Sequence, residues 1–127
     1  MIRKPELSNI QCEIPESTGV HSHVWIGDKV VIGNDCKIQA FAFIPNGVTI
    51  GDRVFIGPHV CFTNDKHPPH GDWADTIVED DVAIGANCTI LPGITLGKGC
   101  VIGAGTVVRQ SVPPGETWVG NPAIKWR

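Results

Sequence analysis

The sequence predicts an all-β chain wound as a triangular parallel β-helix, on three observations. An aliphatic residue recurs every sixth position, glycine often follows it, and the register lapses once. Stepping by six from Val20 meets Ile26, Ile32, Ile38, Ile44, Ile50 and Ile56. Stepping from Val78 meets Ile84, Ile90, Leu96, Ile102 and Val108. A period of six is too short for a helix-containing repeat and fits a short strand plus one corner. Three such units close a coil, so residues 18 apart stack, and each coil adds about 4.8 Å of height.

Each element follows from that register. Residues 1–13 precede the first regular coil, which begins near Ile14 or Val20, and are expected to form an irregular cap over the open bottom edge. An uncovered edge strand invites unwanted pairing. Within the coils the second repeat position is glycine at Gly27, Gly33, Gly51, Gly57, Gly85, Gly97 and Gly103, which suits a sharp corner. The third position is small or polar, as at Asp28, Asn34, Asn46, Asp52, Ala86 and Ala104. The fifth is apolar or small and includes Cys36, Cys88 and Cys100. Five cysteines without a CxxC spacing fit reduced, buried thiols acting as small hydrophobes. The regular pattern ends at Val112-Pro113-Pro114-Gly115, and the tail 113–127 is expected to fold back or pack on a neighbour.

Composition narrows the rest. The 127 residues suit one domain, no run of about 18 apolar residues is present, and the first residues lack the apolar stretch of a signal peptide. The expected location is cytoplasmic, with no membrane partner. A net charge of −3 gives no broad attraction to nucleic acid.

The register runs to Phe62 and resumes at Val78, which leaves an insertion over 63–77. It holds Asn64, Asp65, His67, His70, Asp72, Trp73 and Asp75. Insertions in a solenoid fall on one face and often form the functional loop. If the loop rejoins the same coil, Ala86 and Ala104 occupy one corner in adjacent coils, and a long ligand can lie along the prism there.

The hexads, the segment from Phe62 to Pro68, the stretch from Trp73 to Val78, the run Ile84-Gly85-Ala86-Asn87-Cys88-Thr89-Ile90-Leu91-Pro92-Gly93 and the ending Val119-Gly120-Asn121-Pro122-Ala123 resemble the hexapeptide-repeat acyltransferase superfamily. Within it they are most similar to nucleotide-sugar N-acetyltransferases acting on dTDP-linked 3-amino-3,6-dideoxyhexoses or UDP-linked 3-amino uronic acids. The resemblance implies left-handed winding, hence a left-handed parallel β-helix. It also implies a homotrimer that binds acetyl-CoA and a nucleotide-linked amino sugar between subunits. The chain is shorter than typical members, its tail stops soon after Asn121-Pro122-Ala123, and its loop after Pro68 is compact.

Acyl transfer to an amine needs a deprotonated amine, attack geometry, and donors for the tetrahedral oxyanion. His67 is the first candidate for general base, because imidazole titrates near neutral pH. Asp65 is the candidate to orient it or to accept from the sugar amine, and Asn64 can offer a donor or an acceptor. His59, His70 and Trp73 are candidates for substrate contact. Ala86, Ala104, Lys98, Arg109 and Lys125 are candidates for the coenzyme, the alanines for the pantetheine arm and the cations for its phosphates. No metal is expected. Two other readings stay open: a γ-class carbonic-anhydrase-like zinc enzyme using His59, His67 and His70, and a non-catalytic β-helix scaffold.

Overall fold

The computed structural model describes residues 7–127 and shows a left-handed parallel β-helix with three faces. The chain lays down β1 (Asn9–Ile10), β2 (Gly19–Val20), β3 (Trp25–Ile26), β4 (Val31–Ile32), β5 (Lys37–Ile38) and β6 (Phe43–Ile44). It continues with β7 (Val48–Ile50), β8 (Phe55–Ile56), β9 (Cys61–Phe62), β10 (Thr76–Val78), β11 (Ala83–Ile84) and β12 (Thr89–Ile90). It ends with β13 (Thr95–Leu96), β14 (Val101–Ile102), β15 (Val107–Val108), β16 (Thr117–Val119) and β17 (Ile124–Lys125). Face one stacks β2, β5, β8, β11, β14 and β16; face two stacks β1, β3, β6, β9, β12 and β15; face three stacks β4, β7, β10 and β13.

The strands are short because each hexad allows only about two extended residues between corners. In most of them the first residue points out and the second points in, as in Phe43–Ile44 and Phe55–Ile56. The inward residues are the sixfold ladder, with Ile26, Ile38, Ile44, Ile56, Ile84 and Ile90 fully buried. Phe62 takes a ladder position and is buried just as completely. Burying one such side chain stabilises by roughly 1.5–3 kcal/mol.

The fifth-position residues line the inner corners. Cys36 donates its thiol hydrogen to the carbonyl of Gly51 at 3.1 Å, and Cys88 to that of Gly103 at 3.0 Å. Thr18 donates its hydroxyl in the same manner, to the Gly33 carbonyl fifteen residues on at 2.7 Å, while Thr106 donates back within its own corner, to Gly103 at 2.6 Å. Cysteine and threonine are interchangeable solutions to one local need. All five cysteines are free, and burial, with Glu79 nearby, pushes the Cys100 thiol up to about 11.

At the bottom, β1 already pairs in parallel with β3, so strand stacking starts inside the segment expected to be an irregular cap. The pairing Asn9↔Trp25 spans 16 residues instead of 18, which is where the regular repeat gives way. Residues 1–6 of that expected cap lie outside the described residues. At the top, β16 adds a further rung on β14, and β17 folds back antiparallel against it. No helix among the described residues is long and apolar enough to cross a membrane.

The lapse in register is an insertion within a coil. Ile50 pairs with Val78 and Cys61 with Thr89, each 28 apart, ten more than the normal 18. Strand structure resumes at Thr76, so the extra chain occupies 63–75, two residues less than the sequence suggests. It leaves the corner between faces two and three, called here the second corner. The first corner joins faces one and two, and the third joins three and one.

Candidate functional site

The inserted loop is a compact, braced turn. Asp65 and Trp73 face each other as an antiparallel pair; Lys66 N–H donates to the Asp72 carbonyl and Ala74 N–H to the Asn64 carbonyl, both at 2.9 Å. Its base is clamped to the coils. The Asn64 amide donates to the Asn46 carbonyl at 2.9 Å, Thr76 N–H to the Gly47 carbonyl at 3.0 Å, and Gly93 N–H to the Thr76 hydroxyl at 3.2 Å. Glycine is required at both clamp points. A Cβ on Gly47 would lie 2.9 Å from Asp75 Oδ1, and one on Gly93 would lie 3.1 Å from the Ala74 methyl. Both residues also hold positive φ, of 96° and 78°.

Two carboxylates divide the work inside the loop. Asp65 accepts the backbone N–H groups of Gly71 at 2.9 Å, His67 at 3.0 Å and Asp72 at 3.1 Å. Desolvation pushes the Asp65 carboxyl up, but those three donors, aided by His67, outweigh it and hold it below the ordinary carboxylate range. The His67 ring is held by a different residue: its Nδ1 lies 2.8 Å from Asp72 Oδ2. Asp65 therefore positions the backbone of His67, and Asp72 orients its imidazole, a role the sequence reading had offered to Asp65. An ionised carboxylate only accepts, so Nδ1 is the donor of this bond, and in the neutral ring that leaves Nε2 as the acceptor. The His67 side chain is 71% exposed, which leaves it open to a substrate.

The other candidates are dispersed. His70 is exposed in the same loop, its N–H donating to the His67 carbonyl at 2.8 Å. Trp73 is 64% exposed and lines a cleft at the loop base. His59 stands at the first corner, stacked on Phe41 at 4.9 Å, with His23 on the ring's other side at 5.0 Å. Within one chain it does not join the loop histidines, so the zinc reading lacks its three-histidine grouping in a protomer. Among the described residues no group of three or more His, Cys, Asp or Glu side chains is arranged to hold a metal. The cations do not cluster either. Lys98 is at the third corner and Arg109 at the second, while Lys125 on β17 lies 3.5 Å from Glu116.

Ala86 and Ala104 do share a corner, as Ile84↔Ile102 pairing requires. At that first corner the stacking is close: a Cβ on Gly57 would lie 2.7 Å from Ala86 N, and one on Gly85 would lie 2.7 Å from Ala104 N. The backbone N–H groups of Ala86 and Ala104 have no hydrogen-bond partner among the described residues. Three of the four equivalent amides at the third corner are occupied, the Asp80 N–H being the fourth. Asn34 N–H donates to Asp52, Asp52 N–H to Asp80, and Lys98 N–H to Glu79, at 2.8, 2.8 and 2.9 Å. Sequence reasoning missed this contrast and the role of Asp72. The first had a visible signal, since Asn34, Asp52 and Asp80 recur at the third hexad position.

Comparison with known proteins accords with this architecture. Residues 29–64 match the family described as bacterial transferase hexapeptide (six repeats), and residues 75–110 match hexapeptide repeat of succinyl-transferase. A probable macrolide acetyltransferase of Lysinibacillus sphaericus is 37% identical over 114 residues, 81% of this chain and 62% of the relative. A hexapeptide-repeat-containing acetyltransferase of Vibrio cholerae, solved with acetyl coenzyme A, superimposes with a TM-score of 0.77. It is 30% identical, and the match covers 87% of this chain and 67% of that one. A GDP-perosamine N-acetyl transferase of Caulobacter crescentus, solved with CoA and GDP-perosamine, shares the fold at a TM-score of 0.71. Its identity is 22%, with 89% of this chain and 52% of that one covered. The chain spans about three fifths of the length of the first curated relatives it matches.

Proposed function

The chain belongs to the hexapeptide-repeat transferase superfamily, and on that premise we propose that it transfers an acetyl group from acetyl-CoA to the amine of a nucleotide-linked amino sugar. The observation that carries the reading is the His67–Asp72 pair at 2.8 Å, in a braced loop at the one interruption of the coil. The amine lone pair attacks the thioester carbonyl, a C–N bond forms, and the amine proton passes to His67 Nε2. Asp72 stabilises the imidazolium that results. The tetrahedral intermediate collapses with loss of the C–S bond, and the departing thiolate recovers a proton as free coenzyme A. General-base assistance of this kind contributes about 10²–10⁴-fold.

The first corner fits the coenzyme. Two unclaimed N–H groups, one coil apart at about 4.8 Å, match the amide-studded pantetheine arm, and alanine side chains leave the backbone accessible. The fit supports acetyl-CoA as co-substrate. The loop and this corner lie at opposite edges of face two, so one chain does not bring His67 to its own first corner. This separation favours a homotrimer in which the loop of one protomer meets the first corner of the next. Sedimentation should then give about three times the 13.6 kDa chain mass. Five free thiols suit a cytoplasmic location.

The test is thiol release from acetyl-CoA against a panel of nucleotide-linked amino sugars. At least one should be acetylated. His67→Ala should lower turnover about 10²-fold or more while sedimentation stays unchanged. Equal turnover in wild type and His67→Ala would remove His67 from the chemistry, and no turnover with any amine would reject the acceptor class.

A further inference from the structure

A second feature lies beside the loop. A cleft of about 310 Å³ runs below it at the second corner, lined by Lys29, Asn46, Gly47, Thr49, Trp73 and Asp75, with Ala74 behind. The floor is fixed. Asn46 Oδ1 accepts Lys29 N–H at 3.0 Å, and Gly47 N–H donates to the Lys29 carbonyl at 3.0 Å. Gly47 makes room for the Asp75 carboxylate directly over the corner, in space its own Cβ would fill. Neither the Lys29 ammonium nor the Asp75 carboxylate forms an ion pair among the described residues. Trp73 supplies an exposed flat wall, and it directly follows Asp72, the partner of His67.

We infer that this cleft is the acceptor subsite, and that it selects an amine-bearing sugar ring carrying an anionic group. The inference rests on the acetyl-transfer reading above and names the acceptor that site takes. The volume is at the lower limit of small-molecule pockets, which suits a single pyranose and leaves an attached nucleotide outside. The indole face packs against the C–H face of the ring. Asp75 and the Thr49 hydroxyl receive the amine and a ring hydroxyl, and Lys29 receives the anion. Opposite charges at fixed places favour an acceptor with complementary charges and reject a neutral one, which leaves Lys29 unmatched.

The experiment compares four probes: an unsubstituted hexosamine, a hexosaminuronic acid, a hexosamine 1-phosphate and a nucleotide-linked amino sugar. Binding is followed without acetyl-CoA through the Trp73 indole N–H signal, assigned with Trp73→Ala, and KM is measured separately by thiol release. Both the carboxylate and the phosphate arms should bind at least tenfold more tightly than the neutral hexosamine. The stronger arm identifies the source of the anion. Lys29→Gln should erase that preference, and Asp75→Asn should weaken all amine probes about tenfold; both residues are exposed, so folding is preserved. In each variant acetyl-CoA affinity should stay within twofold. Equal binding of neutral and anionic probes, or KM values within twofold of wild type in both variants, would overturn the inference. Failure of thiol release with intact, Lys29-dependent probe binding would instead fault the acetyl-transfer reading alone.

Discussion

The first and third corners of the prism are built from the same hexads and do opposite things with their backbone. At the third corner, carboxylates at the turn close off the amides of neighbouring coils: Asp52 caps Asn34, Asp80 caps Asp52, and Glu79 caps Lys98. Arg53 then ties that corner together, hydrogen-bonding Asp81 at 2.7 Å and holding its carboxyl below the usual range. At the first corner the matching positions are Pro58, Ala86 and Ala104. Proline has no N–H to cap, and the two alanines leave theirs unclaimed. A solenoid gains stability where side chains satisfy the corner amides, and leaves donors open where they do not. The proposed coenzyme edge is marked by side chains that are missing as much as by those present.

The contrast can be broken by exchanging the two corners. Ala104→Asp places a carboxylate where Asp52 and Asp80 stand in their ladder, one coil above the Ala86 amide. It should weaken acetyl-CoA binding at least tenfold, measured by calorimetry, because a donor is lost and a negative charge is set against an anionic ligand. Folding should survive, with a melting temperature equal to or above wild type. The reverse exchange, Asp80→Ala, uncaps Asp52 N–H. It should cost about 1 kcal/mol, read as a melting-temperature drop of roughly 4 °C, with no change in acetyl-CoA affinity.

Acid sharpens the difference between coil and loop. The Asp65 carboxyl is lowered in the folded state, so the order it confers is complete above the ordinary carboxylate range and fades as pH falls through its depressed value. On acidification below about pH 4, the N–H groups of Gly71, His67 and Asp72 should lose protection in hydrogen exchange before those of β9 and β12. The smallest effect belongs to the inner corners. Cys88→Thr should alter stability by under about 1 kcal/mol in chemical denaturation, because Thr18 already makes the equivalent contact, donating to the Gly33 carbonyl fifteen residues on as Cys88 does to Gly103.

The coil was legible because period six leaves one arrangement that buries every ladder residue, and the loop was legible as the one break in that period. Winding hand was carried by the resemblance, since a repeat length does not fix chirality. The loop's internal wiring was less accessible. Asp65 begins an Asx-type turn, accepting the amide two residues on, and Asn-Asp before His67 is a readable sign of it. Asp72 reaches the His67 ring only because the chain doubles back between Asp65 and Trp73, a pairing that no spacing announces. The nominated cations Lys98, Arg109 and Lys125 were chosen by charge alone, and charge does not say which corner a residue occupies. The cleft at Lys29 and Asp75 joins residues 46 positions apart, brought together by the stacking of coils across the insertion.

The most direct measurement is an amide NMR titration with acetyl-CoA. The account predicts that the N–H signals of Ala86 and Ala104 shift together and gain protection from exchange, while those of Asn34, Asp52 and Lys98 stay in place. Saturating acetyl-CoA that leaves Ala86 and Ala104 unmoved, or that moves the third-corner amides instead, would contradict it.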